Sequence, residues 1–355
     1  MALPFLNITK SKGRDQLYAI DLGGRTTKAA YLQRQDQNYA LSRFALVDAP
    51  IFEKTWSVDL LSEHLKQITQ TIQPGTKQVT IALGLNDLVV RNIEMPMMPV
   101  DEMRQILKIN SKVYLQQELT GYVFDCYVIP PGPGSQKNGQ NSDNRKVKVL
   151  MAGAKQTFIN DLQAAIRNAG LVPDFVIPGL VGPVNAFERA MPEAFSKDVI
   201  ALVDIGFKNT SICLLQEGEL ILNRSVNIGG DRITTGLAEM MSITYAEAEG
   251  IKIGMPGEVQ PQLEMLVSPL GRELRASIDF FEHQQDKTVN HVFVSGASAK
   301  SETILNTLQM EMAIECTSWN PAAFLQNALP AAQSGELEQV APQLAVAIGA
   351  ALTSI

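Results

Sequence analysis

Two stretches of this chain carry one pattern. AIDLGGRTTKAAYL, from Ala19 to Leu32, and LVDIGFKNTSICLL, from Leu202 to Leu215, each run from an apolar strand through Asp-x-Gly and a polar turn into a second apolar strand. Asp21 aligns with Asp204, Gly23 with Gly206 and Thr27 with Thr210. One such unit is an ordinary hairpin. Two copies, each followed by helical segments, predict a duplicated α/β architecture. At 355 residues the chain is long for a single hydrophobic core, which suits two lobes.

The first lobe is expected over residues 1–84 and 171–198, with strands at Tyr18–Ile20, Lys28–Gln33 and Tyr39–Leu46. A helix over Ser57–Ile72 aligns Leu60, Leu61, Leu65, Ile68 and Ile72 on one face behind a Ser57 cap. Residues 85–170 read as an inserted α+β subdomain. In it Asp101 is expected to cap a helix packing Met103, Ile106 and Leu107, and Gly170 to close the last helix. Pro130–Lys146 is rich in turn formers and reads as an exposed loop. The second lobe takes 199–355, with a hairpin turn at Glu217–Glu219.

Composition removes several function classes. A net charge of -7 without a basic run argues against nucleic-acid binding. The three cysteines, Cys126, Cys213 and Cys316, are far apart and odd in number, which suits a reducing compartment and no disulfide framework. The histidines His64, His283 and His291 lack metal-ligand spacing. The first residues do not read as an export signal, and no stretch has the apolar length of a membrane span. GASAKS, Gly296–Ser301, fails as a P-loop because Ala299 precedes Lys300 where glycine is required.

The doubled turn has a physical use. Glycine without Cβ admits close approach of a phosphate, and an aspartate ending a buried strand sits where Mg²⁺ and its waters bridge to phosphate oxygens. Two facing hairpins would clasp a triphosphate.

On these residues the chain resembles the actin-like ATPase superfamily. Lys28 stands seven positions after Asp21, where that superfamily often has a phosphate-contacting lysine. Glu249 and Lys252 in AEGIK resemble its Glu-x-x-Lys near the ribose. VFVSGASAKSETI, with Gly296, resembles its adenosine motif, and LAVAIGAAL, with Gly349, its C-terminal connecting helix. Within the superfamily the chain resembles the PilM/FtsA branch, and most of all the PilM family of type IV pilus assembly. The segments MPMMPVDEMRQILKINSKVYL and VLMAGAKQTFINDLQAAIRNAGLVPDFV carry that likeness, with a small subdomain placed between the two phosphate hairpins.

The resemblance implies two actin-like (ribonuclease H-like) lobes around a nucleotide cleft, with ATP and Mg²⁺ as cofactors. The implied nucleotide contacts are Asp21, Gly23, Gly24, Thr26, Thr27, Lys28, Asp204, Gly206, Asn209, Thr210, Gly229, Gly230, Glu249, Lys252 and Gly296. Asp21 and Asp204 would face Mg²⁺ through water. It further implies a cytoplasmic scaffold, peripheral to the inner membrane, that docks the N-terminal cytoplasmic tail of a PilN-like protein. Other pilus platform or motor proteins and self-association are further implied contacts, with no nucleic acid and the membrane reached only indirectly. An FtsA-like cell-division ATPase and a scaffold that no longer binds nucleotide are the alternatives; FtsA ends in a linker and an amphipathic membrane helix that this chain is not expected to have.

The sequence departs from the superfamily pattern twice. The adenosine motif, usually a run of glycines, reads Ser295-Gly296-Ala297-Ser298. Gly182 in LVGPVNAFERA stands where FtsA-like relatives commonly carry an acid near the attacking water, with Asn185 and Glu188 as nearby polar residues. Hydrolysis is expected to be slow or absent even where ATP binds, since transfer to water depends on that positioning group.

Overall fold

The first apolar run is buried along nearly its whole length, as a strand in the middle of a covered sheet must be. In the computed structural model, which describes residues 14–50, 57–84, 86–130 and 146–355, it forms β1 (Gln16–Leu22). β2 (Thr26–Gln35) and β3 (Asn38–Asp48) follow as antiparallel neighbours, then α1 (Val58–Ile72) and β4 (Gln78–Leu83), parallel to β1. β5 (Val89–Pro96), α2 (Val100–Leu115), β6 (Tyr122–Val128) and β7 (Lys146–Lys155) form a separate three-stranded layer. α3 (Gln156–Asn168) then leads into β8 (Val172–Pro178), parallel to β4.

α4 (Val181–Ala190) and α5 (Pro192–Lys197) cross to the second lobe. There β9 (Val199–Ile205), β10 (Thr210–Gln216) and β11 (Glu219–Val226) form an antiparallel trio. α6 (Gly230–Met241), α7 (Tyr245–Gly254) and α8 (Gln260–Gln285) precede β12 (His291–Gly296), α9 (Glu302–Met312) and β13 (Cys316–Ser318). The chain returns through β14 (Gln326–Asn327), α10 (Ala331–Val340) and α11 (Ala345–Ala351).

The duplication is visible in the strand orders. β3-β2-β1-β4-β8 and β11-β10-β9-β12-β13 repeat one plan: two antiparallel pairings, then two parallel ones. β14 adds a parallel edge to β3, so the last third of the chain also contributes to the first sheet. α4 and α11 lie in the core shared by the two sheets, where Phe187 meets the rings of Phe293 at 4.7 Å and Trp319 at 5.1 Å. α1 and α3 cover the other face of the first sheet, and α6, α8 and α9 that of the second. The insert has its own core around Met95, Met103, Leu107 and Met151, whereas α3, grouped with it in the sequence reading, buries Ile159, Leu162 and Ile166 against α1.

Local signals explain the boundaries. Ser57 Oγ accepts from Leu60 N at 3.4 Å and starts α1. Leu61, Leu65, Ile68 and Ile72 form its buried stripe, but Leu60 falls off that face and is 42% exposed. Asp101 lies in the first turn of α2; Pro99 holds the cap position without a side-chain bond, and Asp101 instead accepts from Arg104 Nη1 at 2.7 Å. Gly170, at φ 79, follows α3 and reverses the chain. Glu217 and Gly218 both take positive φ, 49 and 81, as a two-residue hairpin turn requires. The expected loop at 130–146 lies, except for its end residues, outside the described residues. Among the described residues no helix is long and apolar enough to cross a membrane.

Candidate functional site

β1 and β9 carry their aspartates at the same place, one residue before the strand ends, and the fold brings both into one cleft between the lobes. The cavity measures about 210 Å³. Lys28 on β2 is paired in register with Asp21, and its Nζ donates to Asp21 Oδ2 at 3.1 Å. Burial works to lower the Lys28 pKa, but the charges of Asp21 and Asp204 outweigh it and hold the ammonium above its ordinary value. Asp204 is pushed up, first by burial and further by Asp21, against the pull of Lys28 and of a hydrogen bond from Ser295 Oγ at 2.7 Å. Two carboxylates therefore face one ammonium. At this cluster the second carboxylate suits an additional cation.

The glycines act by fit. A Cβ on Gly23 would lie 2.3 Å from Thr26 O, and one on Gly206 2.8 Å from Asn209 O, so neither turn closes with a larger residue. Their amides serve the turns themselves: Gly23 N donates to Asp21 O and Gly206 N to Asn209 O, both at 3.0 Å. These two glycines shape the loops, and their own amides are engaged within them. Gly296, at φ 94, sits 2.3 Å from Ile205 O by the same Cβ measure, which requires glycine between β12 and the turn that follows.

The second lobe closes the far side. Gly230 N donates to Gly206 O at 3.0 Å and Asp231 N to Phe207 O at 2.9 Å, seating the start of α6 on the β9–β10 turn. α7 is begun by a capping box of Thr244 and Glu247 and presents Glu249 and Lys252 to the cleft. Lys252 Nζ donates to Glu249 Oε2 at 2.7 Å and Thr234 Oγ1 at 2.6 Å, and Thr234 also meets Glu249. Burial pushes the Lys252 ammonium down despite Glu249. Burial works to raise Glu249, but hydrogen bonds from Lys252 and Thr234 hold it below the usual carboxylate range. Lys252 is buried, so the pair belongs to the cleft wall and not to a solvated helix face.

Of the expected site residues, Asp21, Gly23, Gly24, Thr26, Lys28, Asp204, Gly206, Asn209, Gly230, Glu249, Lys252 and Gly296 all line the cleft. Three do not. Thr27 alternates away from Thr26 along β2, and its Oγ1 pairs with His64 Nε2 at 2.8 Å. Thr210 is fully buried and donates to Ile228 O at 2.6 Å. Gly229 lies beneath the β9–β10 turn, where a Cβ would meet Phe207 O at 2.4 Å. Residues not anticipated also line the cleft: Arg25, Asn86, Phe207, Lys208, Ser298 and Gln343. Asn86 accepts from Asn209 Nδ2 at 2.6 Å across the lobes.

Gly182 has a packing cause. α4 and α11 cross so tightly that a Cβ there would lie 2.6 Å from Val346 O, and one on Gly349 only 1.7 Å from Gly182 O. No acid fits this position. Asn185 does not replace it, because its amide donates to Gly349 O at 3.1 Å inside the crossing.

The family model described as type IV pilus assembly protein PilM matches residues 19–355. The chain belongs to the PilM family. A solved PilM-PilN type IV pilus biogenesis complex superposes at a TM-score of 0.82, with 22% identity over 95% of this chain and 98% of that one. MreB 5 of Spiroplasma citri, solved bound to AMPPNP, superposes at 0.51 with 10% identity over 95% of each chain. This PilM-family chain thus has the actin-like fold. It is also 29% identical over 104 residues, 29% of its own length, to cell division protein FtsA of Bacillus subtilis, and that alignment spans 22% of the FtsA chain.

Proposed function

We propose that this PilM-family chain is an actin-like, Mg-ATP-binding scaffold of a type IV pilus assembly platform, located at the cytoplasmic side of the inner membrane through a membrane-protein partner. The observation that carries the nucleotide reading is the convergence of Asp21, Asp204 and Lys28 in one cleft with charge left over for a cation. The donor set fits Mg²⁺, which takes few protein carboxylates and keeps most of its waters. Bound there, Mg²⁺ would neutralise the charge of a triphosphate. Asp21 and Asp204 would hold its waters, Lys28 would meet the phosphates, and Glu249 with Lys252 would face the ribose. MreB 5, which shares the fold, is solved bound to AMPPNP, which supports a nucleotide as the ligand class.

The tight α4–α11 crossing at Gly182 supports binding with slow or no hydrolysis, because no acid stands there to orient water. The partner is a PilN-like cytoplasmic tail, as the neighbouring PilM-PilN complex suggests.

Calorimetric titration with Mg-ATP tests this, run on the wild type and on the Asp21→Ala, Asp204→Ala double variant with phosphate release followed in parallel. Binding by the wild type alone, with little phosphate released, is the expected result. No heat from the wild type at millimolar ATP would reduce the chain to a scaffold without nucleotide.

A further inference from the structure

Arg25 sits in the β1–β2 turn of the first lobe, yet its guanidinium lies among second-lobe groups. It is 5.8 Å from the centre of the Phe207 ring and 5.6 Å from that of Tyr245. Nη1 donates to Tyr245 OH at 3.2 Å and stands 3.8 Å from Glu249 Oε1. The main chain beneath it is fixed, since Arg25 O accepts from Ala49 N at 2.8 Å. A long cation thus crosses the mouth of the cleft from an anchored turn.

The two oxygens of Glu249 are not equivalent. Oε2 is engaged by Lys252 and Thr234, whereas Oε1 faces Arg25 at an ion-pair distance too long for a hydrogen bond. With the Arg25 side chain 42% exposed, such a pair contributes little and exchanges readily. The aromatic rings hold the guanidinium near the cleft without fixing where its charge points. A guanidinium offered phosphate oxygens gains a bidentate, charge-assisted contact that a single distant carboxylate oxygen does not give.

We propose, resting on the nucleotide reading above, that Arg25 makes the cleft discriminate a nucleoside triphosphate from a nucleoside. A ribose approaching Glu249 competes with Arg25 for Oε1. A triphosphate compensates the displaced guanidinium with its own oxygens, and a nucleoside does not. Arg25 is therefore a specificity residue that also transfers a cross-lobe contact from protein to ligand.

The test compares Mg-ATP and adenosine binding to the wild type, Arg25→Ala and Arg25→Lys, with melting temperature measured on each as a check on folding. Arg25→Ala is expected to weaken Mg-ATP about tenfold or more, the loss of a charge-assisted hydrogen bond, while adenosine binds as well or better. Arg25→Lys should restore part of the Mg-ATP affinity, as a point charge without the planar fork. Equal weakening of both ligands by Arg25→Ala would overturn the proposal, leaving Arg25 a brace between lobes; so would unchanged Mg-ATP affinity. Those outcomes leave the nucleotide reading standing. A wild type that binds neither ligand removes that reading, and this proposal with it.

Discussion

Gly349→Ala tests the helix crossing where the lobes join. A Cβ on Gly349 would lie 1.7 Å from the Gly182 carbonyl oxygen and 2.8 Å from its Cα. A carbon–oxygen contact normally sits at about 3.3–3.6 Å, so α4 and α11 must separate by roughly 1.5 Å or more at the crossing. The obstacle is main chain, which cannot rotate aside as a side chain would. Alanine gains about 1 kcal/mol over glycine inside a helix. Overpacking costs about 1–3 kcal/mol, and a backbone clash with loss of the Asn185 contact belongs at or beyond the top of that range. The expected net loss is about 2 kcal/mol. Urea unfolding followed by far-UV circular dichroism reads it as a lower midpoint. Gly335→Ala in α10 is the control: its Cβ meets nothing within 4 Å, and it should gain up to about 1 kcal/mol. A Gly349→Ala protein that unfolds at or above the wild-type midpoint would refute the reasoning.

Lys28→Met removes the ammonium between Asp21 and Asp204. In the wild type the Lys28 pKa is raised, so its contribution is complete at neutral pH and is lost only as pH rises through that value. Without it, Asp204, already raised, binds a proton more readily folded than unfolded, so the variant gains stability as pH falls. Its deficit in denaturant unfolding should be about 3–5 kcal/mol at pH 8 and smaller at pH 5; a pH-independent deficit contradicts this. His64 is held below its usual value by burial, so the unfolded chain protonates first and wild-type stability drops below about pH 6.5. His64→Gln should flatten that drop, and an unaltered pH profile would assign it elsewhere. Lys148 reaches from the insert to Glu219 of the second lobe at 2.6 Å, beside Asn92 donating to Ile221 O at 3.0 Å. Lys148→Ala should cost up to about 1 kcal/mol, the lysine being 45% exposed, and speed hydrogen exchange in β5 and β11, and unchanged exchange there contradicts a bracing role.

The aspartates were legible because strand, Asp-x-Gly and strand repeat as a local pattern, and the two-lobe plan followed from it. The family likeness drew in Thr27 and Thr210 by motif position, but strand alternation turns Thr27 towards His64 and seals Thr210 against Ile228 O. Ser295 was read as a departure from a glycine motif. It becomes intelligible only once β12 is known to pair with β9 with Ser295 opposite Asp204. Arg25 carried no signal for the same reason: its partners Phe207, Tyr245 and Glu249 lie far away in sequence, and hydrophobic periodicity says nothing of cross-lobe contacts. Gly182 read as a missing acid, and the structure gives it a different cause, backbone contact with α11.

The most direct test of the account is a crystal structure grown with Mg²⁺ and AMPPNP. The account predicts the triphosphate between the β1–β2 and β9–β10 turns, Mg²⁺ beside Asp21 and Asp204, and the ribose against Glu249. A protein that crystallises with that cleft closed to the ligand, or with the ligand bound elsewhere, would contradict it.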